Sequence, residues 1–341
     1  MTRASDNSGA MVKKRVVSGV QPTGFLHLGN YVGAVKRWVE LQDEYQCFYF
    51  VADLHSLTIP EQVDAAALRE SVRVTVALYL ASGLDPERCV IFRQSAVPAH
   101  AEMAWVLTCA TPIGWLERMT QYKSKSAGAE SVGSGLLTYP ALQAADILLY
   151  HADYVPVGAD QKQHVELTRD IAGRMKTLFG VELKTPEPLI PTSGARIMGL
   201  DDPTEKMSKS VAAERPNHAI LLQDDEATIR KKLRVAVTDL GRDMTFAGAQ
   251  PGVRNMLELI RIFSGKSEDE IERELDGKGY SQLKGWAADV VVAALAPVRE
   301  RYEEILRNPD FLDQVLRNGA RRAHAIADET LRCVKEAVGL A

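Results

Sequence analysis

Short apolar runs alternate with longer amphipathic stretches along the first half of the chain. Residues 14–20, 47–52, 89–93 and 154–157 are compact runs of strand length, rich in β-branched and aromatic side chains. Between them, 31–44, 63–82 and 100–108 carry apolar residues at the three-and-four spacing of a helix with one face on a core. Gly83-Leu-Asp-Pro86 closes the second helix with a residue that tolerates left-handed backbone, followed by a ring that cannot extend a helix. Strands alternating with helices predict an α/β fold with a doubly wound parallel sheet. Such sheets hold ligands beyond the carboxyl ends of their strands, where the strand order reverses. His27, His55, Asp146 and Asp160 all fall at or after such strand ends, or on facing helices, as one convergent site requires. Beyond Asp201-Asp-Pro203 the pattern changes. Residues 217–307 read as helical, with breaks near 239–251 and 277–280, and a last amphipathic helix covers about 310–338.

Length and composition bound this picture. A chain of 341 residues predicts two domains, or one large domain with an elaboration. Hydrophobic residues at 46% and charged residues at 25% are those of a soluble globular protein, and no apolar run is long enough to span a membrane. The first ten residues are polar and lack the apolar segment of a secretory signal, so 1–13 is expected to be a disordered leader. Four cysteines, Cys47, Cys89, Cys109 and Cys333, show no paired spacing and are expected to be buried thiols, not metal ligands or disulfides. A net charge of −4 argues against a protein that coats nucleic acid non-specifically, while leaving room for a local basic surface.

Two distant segments carry matching chemistry. Gln21-Pro-Thr-Gly-Phe-Leu-His-Leu-Gly-Asn30 follows the first strand and opens a helix, setting His27 and Asn30 on its first turn. Backbone N–H groups there have no partner within the helix, and the helix dipole favours an anion, so phosphate oxygens fit. Gly29 lets a purine or ribose approach the backbone closely. Lys206-Met-Ser-Lys-Ser210 places two ammonium groups on flexible stems around small hydroxyl residues, between Pro203 and Pro216. Such groups suit a triphosphate whose charge shifts during reaction. Each segment alone also has a plainer reading, as an ordinary turn or a solvated loop. Asp146 stands out differently, since it sits in the otherwise apolar Gln143-Ala-Ala-Asp-Ile-Leu-Leu-Tyr150, where a bare carboxylate is expensive to bury.

The two segments together resemble the signature pair of class I aminoacyl-tRNA synthetases, written HIGH and KMSKS. Gln21-Pro-Thr-Gly24, His27-Leu-Gly-Asn-Tyr-Val-Gly33, Asp53-Leu-His-Ser-Leu57, Tyr139-Pro-Ala-Leu-Gln-Ala-Ala-Asp-Ile-Leu148 and Val155-Pro-Val-Gly-Ala-Asp-Gln-Lys-Gln-His-Val-Glu-Leu-Thr-Arg-Asp170 occur in order. As a set they resemble bacterial tryptophanyl-tRNA synthetases, from about Lys14 to the C-terminus. The resemblance implies a Rossmann-like catalytic domain over 14–200, completed by a C-terminal helix at 307–341, with a helical tRNA anticodon-binding domain inserted at 201–306. It implies a cytoplasmic homodimer, with no membrane association, that takes L-tryptophan, ATP and tRNA(Trp), Mg²⁺ arriving with the ATP and no dedicated metal site. Tryptophan would be activated to its adenylate with release of pyrophosphate, then passed to the tRNA.

Residue roles follow from the same resemblance. Gln21, Pro22 and Thr23 form the turn at the ATP, Gly29 admits the nucleotide, and His27 and Asn30 donate to phosphate. Gly158, Ala159 and Asp160 hold the ribose, with Ile197 and Met207 against adenine. Lys206 and Lys209 carry the pyrophosphate, and Ser208 and Ser210 order their loop. Gln121, Lys123 and Lys125 form a second basic loop that reaches the phosphates. For the amino acid, Asp146 accepts the indole N–H, Tyr139, Gln161 and His55 bind its ammonium and carboxylate, and Gln143 lies on the pocket floor. Three positions depart from the family pattern: Asn30 for the motif's second histidine, Gln143 for a methionine, and Val211-Ala-Ala-Glu214 for an Asp/Asn-rich continuation.

Competing readings are a tyrosine-specific sister enzyme, whose substrate hydroxyl also donates to Asp146, and a paralogue that no longer aminoacylates. The presence of Lys206 and Lys209 argues against the second. A small-molecule adenylating enzyme of the same nucleotide fold would lack the helical region. Arg230-Lys-Lys-Leu-Arg234, the densest basic cluster, reads either as a tRNA phosphate contact or as a helix paired with its own Asp224, Asp225 and Glu226.

Overall fold

The computed structural model describes residues 13–22, 26–128, 131–158, 161–190, 197–238, 241 and 243–341, and the backbone but not the side chains of Gln62, Lys209 and Ser210. All of the expected leader except Lys13, together with Thr23, Ala159 and Asp160, lies outside the described residues.

Five strands form one sheet: β1 (Arg15–Val20), β2 (Gln46–Val51), β3 (Val90–Arg93), β4 (Tyr154–Pro156) and β5 (Glu187–Leu189). Every pairing is parallel and the order is β3-β2-β1-β4-β5, with Val16 beside Cys47, Phe48 beside Val90 and Tyr154 beside Glu187. The order reverses between β1 and β4, which defines a doubly wound, Rossmann-like sheet and opens a crevice at their carboxyl ends. The sequence pattern did not announce β5. Its three residues, Glu-Pro-Leu, are too few for a period, and Pro188 is tolerated only because the strand is an edge.

Alternation along the strands separates two apolar faces. Val16, Cys47, Tyr49, Val51 and Ile91 join one cluster, while Val17, Phe48, Phe50, Val90 and Phe92 join the other. Both faces are covered, so the strands read as continuous apolar runs. After β1, α1 (Leu28–Asn30) passes through a π turn (Tyr31–Val35) into α2 (Lys36–Glu44). With α3 (Ala65–Ala81), α2 covers the first face, where the Trp38 ring stacks on Tyr49 at 4.6 Å. Asp64 caps α3 by accepting from the Ala67 N–H at 2.7 Å, and Gly83, at φ +109°, follows its last turn. On the second face lie α4 (Ala99–Ala110), α7 (Ser134–Leu148) and α8 (Lys162–Phe179), with the short helices α5 (Ile113–Glu117) and α6 (Thr120–Ser126) between α4 and α7.

The regular elements in the rest of the described chain are mainly helices, joined by loops: α9 (Lys209–Glu214), α10 (Glu226–Val235), α11 (Pro251–Ser264), α12 (Glu268–Leu275), α13 (Tyr280–Leu306) and α14 (Pro309–Val338). Helices α10 to α13 extend the first-face core through α3, whereas α14 returns to the second face with Ala323, Ala327, Leu331 and Val334 buried there. Along the way α14 lies on edge strand β3. The Arg322 guanidinium donates to the carbonyls of Pro86 at 2.7 Å and Cys89 at 3.2 Å, so the helix also blunts that edge. The thiols divide: Cys47 and Cys89 are buried, and burial pushes them up to about 11 and about 12 respectively. Cys109 and Cys333 are exposed, contrary to the expectation of four buried thiols, because each sits on the outward face of its helix.

Candidate active site

A cavity of about 440 Å³ opens at the switch point. Residues Val17 to Gln21 at the end of β1 and Val155 to Val157 at the end of β4 form its base. One wall is the face of α7 that carries Tyr139, Gln143, Asp146 and Ile147, spaced so that they share one side of the helix. His55 reaches in from the turn after β2, Asn30 from α1, Gln121 and Lys125 from α6, and Gln161 from the start of α8. All five expected tryptophan residues, His55, Tyr139, Gln143, Asp146 and Gln161, therefore line one space. A second cavity of about 510 Å³ adjoins it through shared Gln21, His55 and Lys125, and takes in Pro22.

Asp146 is 2% exposed at the back of the first cavity. Its Oδ1 accepts from Gln94 Nε2 at 2.6 Å and His100 Nδ1 at 2.6 Å, and its Oδ2 accepts from His55 Nε2 at 2.8 Å. Burial by itself raises the carboxyl pKa. The hydrogen bonds and charges of His100 and His55 outweigh it and hold the group at about 2, ionised and acceptor-only. Behind, His100 Nε2 meets the Tyr150 hydroxyl at 2.7 Å, and burial drives that phenol well above its ordinary range. Tyr139 pairs its hydroxyl with His164 Nε2 at 2.7 Å, and burial pushes its pKa up to about 12. Gln94, His100, Tyr150 and His164 escaped the sequence reading. For Gln94 a signal existed, since it directly follows β3 at the carboxyl edge of the sheet. His100 offered none, because a histidine at the start of an apolar helix reads as surface.

The ATP expectations divide. His27 is buried as the residue before α1, where its backbone N–H donates to Asn30 Oδ1 at 3.3 Å. A Cβ on Gly29 would lie 2.9 Å from the His27 ring, so the space above Gly29 belongs to that ring and not to open solvent. Ile197 and Met207 are joined by the Met207 N–H to Ile197 carbonyl bond of 3.1 Å, and both are core residues at 2% and 1% exposure. Neither presents a surface to a base in this arrangement. Lys206 is exposed, and Ser208 orders the segment by capping α9, its hydroxyl accepting from the Val211 N–H at 3.4 Å. The segment expected as a loop at 206–210 thus becomes helical from Lys209. The second expected basic loop is instead the helix α6: Gln121 and Lys125 face the cavity and Lys123 is not among its lining residues. Gly158 is exposed after β4 and its carbonyl accepts from the Gln161 N–H at 3.0 Å.

In the helical region Arg230 is committed to Glu226 and, across to α13, to Asp289, both at 2.7 Å, and Lys232 to Asp224 at 2.7 Å, so the self-paired reading holds for Lys232 and in part for Arg230, while Lys231 and Arg234 are exposed. Among the described residues no cluster of three or more histidine, cysteine or acidic side chains is arranged for a metal ion. No helix among them is long and apolar enough to cross a membrane.

A parallel nucleotide-type sheet with an amino-acid-sized cavity at its switch point, reached by Gln121 and Lys125 of the basic helix α6, has the form of a class I synthetase catalytic core. The chain belongs to that family: the family described as tRNA synthetases class I (W and Y) matches residues 11–296. Within it, the chain is 48% identical over 331 residues to the tryptophan–tRNA ligase of Wolinella succinogenes, covering 97% of this chain and 100% of that one. Among solved structures it is similar to a tryptophanyl-tRNA synthetase from Mycoplasma pneumoniae, with a TM-score of 0.88 and 37% identity over 97% of this chain and 99% of the other. The enzyme from Campylobacter jejuni, solved with ADP and tryptophan, aligns with a TM-score of 0.82 and 35% identity over 96% and 100% of the two chains.

Proposed function

We propose that the chain is an ATP-dependent tryptophan–tRNA ligase whose amino-acid pocket is the 440 Å³ cavity above Asp146. The observation that carries this reading is the carboxylate itself, buried, ionised and facing a cavity of substrate size. An indole N–H is a donor with no acceptor capacity, and Asp146 is an acceptor with no proton to offer. A phenylalanine ring in the same place leaves that acceptor unpaired, the type of mismatch that discriminates by about 10⁴–10⁵.

In the first step a tryptophan carboxylate oxygen bonds to the α-phosphorus of ATP, and the bond from that phosphorus to the pyrophosphate oxygen breaks. In the second, the hydroxyl oxygen of the tRNA 3′-terminal adenosine bonds to the acyl carbon, the bond from that carbon to the adenylate's phosphate oxygen breaks, and AMP departs, the hydroxyl's proton passing to the phosphate leaving group or to solvent. No side-chain nucleophile is needed; charge placement and orientation carry the rate. Gln21, Pro22, Thr23 and Gly29 shape the ATP turn, and Asn30 with His27 at the start of α1 receives phosphate. Gly158, Ala159 and Asp160 take the ribose. Lys206 and Lys209 move onto the leaving pyrophosphate as the segment holding Met207 and Ile197 shifts, helped by Gln121 and Lys125 on α6, with Mg²⁺ brought by the nucleotide and largely hydrated. Tyr139, Gln161 and His55 orient the amino acid.

The division into catalytic (14–200 with 307–341) and anticodon-binding (201–306) parts belongs to the same reading, as does a cytoplasmic location. A homodimer is supported by Trp105 and Ile113, which α4 and α5 leave 68% and 64% exposed on neighbouring helices. A second copy of the chain is what would take these apolar side chains out of water. Amino-acid-dependent ATP–pyrophosphate exchange tests the assignment. Exchange with tryptophan and neither tyrosine nor phenylalanine is the expected result; exchange with tyrosine would move the chain to the sister specificity.

A further inference from the structure

A carboxylate that recognises a single N–H must point one lone pair at the ligand and keep it there. Asp146 Oδ1 has two acceptor directions and both are filled, by Gln94 Nε2 at 2.6 Å and His100 Nδ1 at 2.6 Å. Oδ2 takes one donor, His55 Nε2 at 2.8 Å, which leaves it one direction for the cavity that Asp146 lines. Rotation of the carboxyl plane would break all three bonds inside an apolar surround, where unmade hydrogen bonds are costly. His100 is itself immobile. It is 0% exposed, its ring lies 5.9 Å from Phe50, 5.9 Å from Phe92 and 5.5 Å from Tyr150, and its far nitrogen meets the Tyr150 hydroxyl at 2.7 Å. One ring nitrogen, Nδ1, donates to the carboxylate, and the other, Nε2, pairs with the Tyr150 hydroxyl.

We infer that His100, held by Tyr150 and acting with Gln94, is a positioning residue that aims the single open acceptor of Asp146 and so sets the enzyme's demand for an indole N–H. His100 never touches the substrate in this arrangement; it works through Asp146. The inference rests on the tryptophan reading of the cavity.

The test is ATP–pyrophosphate exchange with two substrates, tryptophan and its benzothiophene isostere, in which sulfur replaces the N–H. The ratio of their KM values reports the hydrogen bond and little else. An asparagine amide nitrogen reaches about where Nδ1 stands, whereas a glutamine reaches toward Nε2. For the parent enzyme the isostere is expected to have a KM at least about 10-fold higher than tryptophan, the scale of one hydrogen bond to a buried charge. In His100→Gln that ratio should fall to about 3 or less, with kcat for tryptophan and KM for ATP each within about threefold of the parent. His100→Asn should keep the ratio within about threefold of the parent's value. An unchanged ratio in His100→Gln, or an equal loss in both variants, overturns the proposal. Should neither His100 variant fold, Gln94→Met removes the other donor to Oδ1, and an unchanged ratio there overturns it as well. Failure of the parent to exchange with tryptophan at all would sink the ligase reading, an outcome separate from any variant's behaviour.

Discussion

Taking a bare carboxylate out of water costs several kcal/mol or more, a large part of the net stability of a folded domain. Asp146 stays ionised because His100, His55 and Gln94 supply the hydrogen bonds that water gave up. Its carboxyl is held at about 2, below the ordinary value of 3.8. A depressed folded-state pKa adds stability that is fully present above the unfolded value and vanishes as the pH falls through the folded one. The window is therefore from about pH 4 down to about pH 2. Acid unfolding followed by circular dichroism should show the parent losing roughly 2 kcal/mol across that window, and Asp146→Asn losing much less. Equal acid slopes in both proteins would contradict it. Above pH 4 the carboxylate titrates no further, so tryptophan affinity should carry no pH dependence from this group. The sequence made Asp146 legible because an acid in an apolar helix demands an explanation. The explanation itself was not legible: His100 and Gln94 lie 46 and 52 residues away, and only the packing of α4 and of the end of β3 on α7 brings them together.

At the scale of elements, period carried most of the reading and chemistry corrected it. The four expected strands and the helices after them stand where alternation placed them, since buried parallel strands and one-sided helices imprint their periods on the chain. Two basic segments that read as loops proved partly helical, because lysine and serine are compatible with short helices that caps and neighbours stabilise. Ser208 caps α9 itself, and His218, wholly buried, sits under the same segment with Asp201 on its Nδ1 at 2.6 Å and the Lys206 carbonyl 3.3 Å from its Nε2. The clearest element-level constraint is in α14. A Cβ on Gly319 would lie 1.7 Å from the Ile91 carbonyl oxygen, a backbone atom of a paired strand that cannot step aside. Gly319→Ala should therefore push α14 off β3 and lower stability by about 3 kcal/mol or more in urea unfolding, although alanine is the better helix former by roughly 1 kcal/mol. Gly285, mid-helix in α13 with nothing within 4 Å of its would-be Cβ, provides the control. Gly285→Ala should be neutral or mildly stabilising, and a matching loss at both positions would refute the close-approach argument.

Over the whole molecule, the first-face core does not stop at the sheet. It runs from Val16 and Tyr49 through Val76 and Leu80 of α3 into Leu233, Leu257, Ile271 and Leu295 of the helical region, with Ile197 and Met207 inside it. The segment that bears Lys206 is thus anchored in the apolar seam between the nucleotide sheet and the helices, where small rearrangements of that seam reach it directly. The opposite side has the reverse character, ending in exposed Trp105 and Ile113. On the homodimer reading, a two-fold interface buries these exposed apolar side chains against a second copy of the chain. In sedimentation equilibrium the parent should behave as twice the mass of one chain. On that reading a charge at Trp105 is buried unpaired in the dimer and costs nothing in the monomer, so Trp105→Glu should shift the population to single chains without lowering the unfolding midpoint of the monomer. Salt should not restore association, because the cost is desolvation of a buried charge and not long-range repulsion. A Trp105→Glu protein that still sediments as a dimer would place the interface elsewhere on the molecule.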